Sequence, residues 1–352
     1  MKITAKMVKE LRDNTGVGMM DAKKALVKAD GDMEKALTVL KEKGLAASAK
    51  KEGRIAAEGL VGVATTDNNK KVTMLEVNCE TDFVAKNEKF KTFVNEIAEV
   101  VNTTDVKDVD TLLTLTKDEQ TIEQLQSMMV ATIGEKISIR RFNTLTGDYV
   151  HPYVHSTGKV SALVSFKVAD EALLSNDQFK AFAKNITMHV ASMNPTQLSY
   201  KEFDPDYIEK ETKAVIAKVK KDNEELKRLG KHLKNVPQFI SRLQLTDEAL
   251  AKVEEEIKAE LKAQGKPEKI WDKIVPGKIT RFIADNTLHD QELCLLDQFY
   301  VLDDKKTVAQ AIEEANKKLG SFEILSFSRF EVGEGMEKRV EDFAKEVADQ
   351  MK

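Results

Sequence analysis

The sequence predicts an α+β protein, and three observations carry that prediction. The first 44 residues hold three short apolar stripes at helical spacing. A strand–strand–helix pattern then occurs twice, the copies displaced by 89 residues. Residues 206–263 are charged and carry seven-residue apolar repeats, the pattern of a helical hairpin. The expected architecture is a small helical module, a duplicated core of antiparallel sheet and helix, a protruding hairpin and a C-terminal helical module.

In the first module, Thr4 can cap a helix whose inward face is Met7, Val8 and Leu11. Gly16 and Gly18 break the chain, and Met19, Ala22 and Leu26 form the second stripe. Asp32 starts a third helix, with Ala36, Val39 and Leu40 inward and Gly44 as its stop. From Leu45 to Arg54 the chain is small and charged after its first residue, a linker or an exposed helical extension. Residues 1–54 are therefore one module with its linker.

The duplication is explicit. Asn87-x-x-Phe90-Lys91-x-Phe93-x-x-x-Ile97 matches Asn176-x-x-Phe179-Lys180-x-Phe182-x-x-x-Ile186. The Phe, Phe and Ile positions fall on one helical face, a core-packing pattern. A strand pair precedes each helix: 59–66 with 71–78, and 149–155 with 159–168. Residues 122–136 read as a helix and 137–142 as a strand, so the first core half spans 55–146. The second is assigned to 147–205 and 264–304.

In the hairpin, Val219, Leu226 and Leu233 repeat every seven residues, beside Asp222, Leu229 and Val236. Leu250, Val253 and Ile257 continue beyond Pro237, which separates the halves. The tail, 305–352, reads as a helix over 305–319, a strand near 322–332 and a last helix over 334–351. That helix would carry Val340, Phe343, Ala344 and Val347 on one face.

Composition narrows the function. The 352 residues are 41% hydrophobic and 32% charged, with net charge −4, which disfavours a dedicated nucleic-acid binder. No stretch approaches the roughly 18 apolar residues of a membrane span, and the start has no apolar signal region. Cys79 and Cys294 lack zinc-type spacing; a disulfide between them stays open, and such sparse use fits a reducing cytosol. The expected location is cytoplasmic.

Catalytic chemistry is not legible. No phosphate loop or dinucleotide fingerprint occurs, and Gly333-Glu334-Gly335 is acidic where a phosphate site needs the reverse. His151 and His155 are four apart, but Pro152 and a β-like context keep them off a common helical face. No Ser or Cys nucleophile has a recognisable elbow. The expectation is a binding protein, not an enzyme, with no cofactor and no metal of its own. An RNA- or ribosome-binding role for Lys50, Lys51 and Arg54 is the rival, testable by steep salt dependence.

The most informative segment is Cys79-Glu80-Thr81-Asp82-Phe83-Val84-Ala85-Lys86-Asn87, between the apolar run 72–77 and the helix beginning at Glu88. A strand thus delivers an acid and a large aromatic ring to the tip of a turn. A bare Phe there costs solvation unless it folds back or enters something else.

Residues Thr81 to Asn87 resemble the signature of translation elongation factor Ts. So does Leu11-Arg12-x-x-Thr15-Gly16-x-Gly18-Met19-Met20-Asp21-x-Lys23-x-Ala25-Leu26. Ile133-Gly134-Glu135-Lys136-Ile137 with Arg140-Arg141, Gly265-Lys266-Pro267 and Arg329-Phe330-Glu331-Val332-Gly333-Glu334-Gly335 agree in order. The resemblance spans nearly the whole chain. It implies a guanine-nucleotide exchange factor that binds the GDP form of elongation factor Tu, with no covalent chemistry on its own residues. It implies that the first module is ubiquitin-associated-like and that Arg12, Met19 and Met20 touch the GTPase domain of Tu. Thr81, Asp82, Phe83 and Val84 match the segment credited with displacing the partner's magnesium ion. His151 matches a contact to another Tu domain, and Glu331, Val332 and Gly333 begin a C-terminal contact. The hairpin departs from the family by its length, the excess lying around Lys213 to Val253, and a homodimer through core or hairpin is left open.

Overall fold

A computed structural model describes residues 3–337, which fall into two compact units. One holds residues up to Ala191 together with those from Phe322 onward; the other is Ser192–Ser321.

The first unit begins with helices α1 (Ala5–Thr15), α2 (Met19–Lys28) and α3 (Met33–Ala49). The Thr4 hydroxyl accepts from the Met7 amide at 3.2 Å, and Asp32 accepts from that of Lys35 at 3.0 Å, so both expected caps form. Leu11, Ala22, Ala25, Leu26, Ala36 and Leu40 bury the seam. Two expectations fail. Met19 is 46% exposed, because the buried stripe of α2 is Ala22, Ala25 and Leu26. Gly44 does not stop α3. It lies within the helix, where a side chain's Cβ would stand 3.2 Å from the Ser127 carbonyl of a later helix, so glycine here permits close approach.

The chain then forms β1 (Glu58–Thr66) and β2 (Lys71–Cys79), whose turn places Asn68 and Asn69 at positive φ, as tight antiparallel hairpins favour. Next come α4 (Asp82–Ala85), α5 (Glu88–Thr103), α6 (Val109–Thr114), the short strands β3 (Thr116–Lys117) and β4 (Gln120–Thr121), α7 (Ile122–Ile133) and β5 (Ile137–Thr146). Strands β1, β2 and β5 make an antiparallel sheet in the order β1-β2-β5. Phe90, Phe93, Val94 and Ile97 of α5 cover one face of it, with Leu75, Val77 and Ile137 beneath.

The second copy repeats the device with β6 (Tyr149–Val154), β7 (Val160–Val168) and α8 (Asp177–Met193). Phe179 stands in for Phe90 and packs on Phe166 with ring centroids 5.7 Å apart. Asn87 and Asn176 cap the two helices alike, each side chain accepting from the amide two residues on, at 2.9 and 2.8 Å.

The second unit contains α9 (Pro205–Arg228), α10 (Asp247–Ala263), α11 (Trp271–Asp285), α12 (Leu288–Leu293), β8 (Phe299–Tyr300), β9 (Asp303–Thr307) and α13 (Val308–Leu319). The heptads expected through 236 end at Arg228. Gly230 adopts φ +64, and the Lys231 amide donates to the Leu226 carbonyl at 2.9 Å, a left-handed stop that leaves Leu229 and Leu233 exposed. The helix paired with α10 is α11, around Val253, Ile257, Leu261 and Val275.

Strand β10 (Phe322–Glu331) returns the chain to the first unit and completes the sheet β10-β7-β6. The two sheets pack together through Val61, Val72, Met74, Val150, Leu163 and Phe330. The helix expected over 334–351 lies mostly outside the described residues, Val340, Phe343, Ala344 and Val347 among them. Val332–Gly335 is a turn, with Gly333 and Gly335 at positive φ.

Candidate functional site

Strand β2 ends at a fully buried Cys79, and the chain leaves the sheet through Glu80 and Thr81. Thr81 caps the single turn α4, accepting from the Val84 amide at 3.4 Å. Val84 and Ala85 point into the first core and are buried, and Phe83 just before them points out, 80% exposed. Two adjacent apolar residues anchor the single turn inward, and the residue before them is left facing water. The Lys86 ammonium pairs with Asp82 at 2.6 Å and holds its carboxyl below the usual range; the same ammonium lies 6.0 Å from the Phe83 ring centroid.

Beneath this tip lies a reciprocal clasp. One Glu135 oxygen accepts from the Glu80 amide at 3.1 Å and the Thr81 amide at 3.0 Å, and the other accepts from the Thr81 hydroxyl at 2.7 Å. In return the Lys136 amide donates to Glu80 at 2.6 Å, and Arg54 pairs with Glu80 at 3.2 Å. Lys51 donates to the Gly134 carbonyl, and the Lys136 ammonium reaches the carbonyls of Glu52 and Arg54. The basic run that offered a nucleic-acid reading is thus partly spent inside the chain, through Lys51 and Arg54. Nothing in the sequence marked Glu135 or Glu80 as structural partners of the turn; the Gly134 stop beside Glu135 was the only local signal.

Arg12 is exposed near the end of α1, and Met19 and Met20, the latter 63% exposed, open α2. The loop between these helices meets α5, where Lys89 donates to the Gly16 carbonyl at 3.2 Å. The first module and the Phe83 turn therefore share the start of one helix.

His151 sits on β6 in the other sheet. Its Nδ1 lies 3.1 Å from the Tyr149 hydroxyl, and burial, helped by Lys184, pushes its pKa down to about 4. His155 has the same relation to Tyr153 at 3.1 Å.

Glu331 is exposed at the end of β10, whereas Val332 and Gly333 are buried. The Gly333 amide donates at 2.8 Å to Glu76, a fully buried carboxylate in the middle of β2. Arg140 and Arg141 reach Glu76 at 2.9 and 2.6 Å. Burial alone would raise the Glu76 pKa, but the Gly333 amide and both guanidiniums outweigh it and lower it. A side chain at Gly333 would place its Cβ 2.3 Å from the Ala57 carbonyl. Arg141 also stacks 4.2 Å from the centroid of Phe330. The paired arginines thus lock the segment after β10 onto the first sheet.

Both cysteines are free and buried, and burial pushes the Cys79 thiol up to about 12. Among the described residues, no group of three or more His, Cys, Asp or Glu side chains could hold a metal ion. None of the described helices is long and apolar enough to cross a membrane.

The family model described as Elongation factor TS matches residues 80–234 and 214–334. Relatives named Elongation factor Ts align along essentially their full length. That of Campylobacter curvus is 51% identical over 355 residues, covering 100% of both chains. Those of Wolinella succinogenes and Helicobacter pylori strain J99 are 50% and 49% identical over 354 residues, covering 99% of each chain. Fold and comparisons together define a translation elongation factor, a component of protein biosynthesis. The chain belongs to the elongation factor Ts family.

Proposed function

We propose that this chain binds the GDP form of elongation factor Tu and promotes release of the nucleotide by pressing the Phe83 turn against the magnesium site of its partner. The observation that carries the reading is an aromatic ring, 80% exposed, on a turn whose next two side chains, Val84 and Ala85, are buried. A solvent-facing Phe is costly in isolation and useful if it enters another protein.

Magnesium requires near-octahedral oxygen geometry and bridges phosphates to the GTPase. A rigid wedge needs to displace the surrounding backbone only slightly to spoil that geometry. The factor and GDP then bind Tu with unfavourable coupling, and linkage makes the effect reciprocal, so that excess nucleotide expels the factor. Phe83 supplies the insertion. Asp82, tied to Lys86, orients the tip, while Thr81 and Val84 fix its backbone.

Burying one Phe yields about 1.5–3 kcal/mol, too little to hold two proteins together. Most of the affinity comes from elsewhere. Met19 and Met20, exposed and able to repack in a groove, and Arg12 beside them serve as the contact of the first module. Glu331 and His151 supply further contacts, with Val332 and Gly333 holding the segment after Glu331 in place.

Stopped-flow release of fluorescent GDP from elongation factor Tu, run beside a binding titration, tests the wedge. Phe83→Ala is expected to slow release by about ten- to a hundredfold, the rate equivalent of the lost burial, with a much smaller loss in binding. Equal losses in both would count against it.

A further inference from the structure

Glu135 lies on no part of the surface assigned to the partner, yet it organises the element that carries the wedge. Gly134 ends α7 at φ +91, and the chain turns so that the next carboxylate meets the strand-to-helix exit of β2. Its two oxygens take three donors, the amides of Glu80 and Thr81 and the Thr81 hydroxyl, at 3.1, 3.0 and 2.7 Å. Hydrogen bonds to an ionised acceptor are stronger than neutral ones, and two of these fix successive peptide planes.

The duplicated core supplies an internal control. The exit of the second copy matches residue by residue: Asp170 caps where Thr81 caps, Leu173 is buried where Val84 is buried, and Ala172 occupies the place of Phe83. In the strand register, Cys79 pairs with Ile137 and Val168 pairs with Phe322. The residue two before Ile137 is Glu135; the residue two before Phe322 is Gly320. The carboxylate clasp is present in the copy that presents an aromatic ring and is missing from the copy that presents a methyl group.

We infer that Glu135 is a positioning residue for nucleotide release, acting through the Thr81–Phe83 backbone to hold the ring at a fixed height and angle. This rests on the wedge reading given above. A ring on a slack turn still meets the partner but transmits less displacement, so the loss falls on the maximal release rate rather than on half-saturation.

The test uses the full chain with elongation factor Tu loaded with fluorescent GDP. Glu135→Ala is expected to lower the maximal release rate about tenfold while half-saturation moves by less than about threefold, the signature of an interaction made in the transition state. Amide exchange at Glu80 and Thr81 in the free protein should accelerate. Glu135→Gln can turn its carbonyl to the two amides and its amino group to the Thr81 hydroxyl, and should restore most of the rate. Glu135→Asp, one methylene shorter, should fall between them, and provides a readout if the alanine variant does not fold. In the Phe83→Ala background, Glu135→Ala should cost little more. An unchanged maximal rate in Glu135→Ala, an additive loss in the double variant, or a glutamine variant as slow as alanine would overturn the inference. If Phe83→Ala itself leaves release unaltered, the wedge reading fails instead, and faster amide exchange at Glu80 and Thr81 would still register the clasp.

Discussion

The two copies of the core share a plan and differ at one tip. In each, a strand pair leads through a capped turn into a helix whose Asn cap and Phe–Phe–Ile face seal a three-stranded antiparallel sheet. The first copy places Phe83 on the turn and clasps it with Glu135; the second places Ala172 there and has Gly320 in the position of the clasp. Packing is shared because both sheets need a cover. The aromatic tip is not shared, because no fold-level requirement calls for it. A duplicated scaffold therefore separates what the architecture needs from what one copy adds.

The equivalence of the covers gives the largest expected effect. Phe90 and Phe179 are both fully buried, so Phe90→Ala and Phe179→Ala should each destabilise the chain by about 3–5 kcal/mol in urea titrations. A much smaller loss at one of them would show that the copies are not energetically alike.

A second prediction concerns the half-buried imidazole of His151 in the second copy. With a folded value of about 4, His151 is neutral in both states above pH 6.5 and contributes nothing there. Below 6.5 the unfolded chain takes the proton while the folded one resists it. Stability should therefore fall between pH 6.5 and about 4, by at most about 3 kcal/mol through this group. His151→Gln should flatten that part of the pH profile, and an unchanged slope would remove His151 as its source.

The caps come next. Thr81→Ala and Asp170→Ala remove equivalent N-caps, each worth about 1 kcal/mol. Both should lower thermal stability slightly, but Thr81→Ala alone should slow nucleotide release. Equal effects on release would place the second turn at the interface as well. The smallest effect is expected of Ala172→Phe, an exposed site without a clasp: stability within about 0.5 kcal/mol of the parent, and release unchanged. A gain in release would show that an aromatic tip suffices without positioning.

Much of this was legible before any coordinates. The helix starts at Thr4 and Asp32, the duplicated Phe faces and the strands follow from the sequence, because capping side chains mark helix ends and burial against one face imposes period 3.6 or 2. The Thr81–Val84 turn was readable too, since an apolar run ended where an acid and a ring began. Other readings failed where distant packing intervened. Gly44 looked like a stop, and only the passage of α7 makes it an interior residue. The heptads past Arg228 looked continuous, but Gly230 closes the helix in the left-handed region. Met19 fitted an inward stripe, yet the small Ala22 and Ala25 fill that seam.

By itself, the sequence determined the α+β class, the duplication and the identity of the residues offered at the tip. Those depend on local periodicity and capping, which act over a few residues. Tertiary structure alone decided that Phe83 faces solvent while Val84 and Ala85 do not, that Glu135 grips a turn some 55 positions away, and that Glu76 gathers Arg140, Arg141 and the Gly333 amide around a buried charge. Such pairings satisfy polar groups that folding removes from water, and which donors meet which acceptors is fixed only when the sheets close.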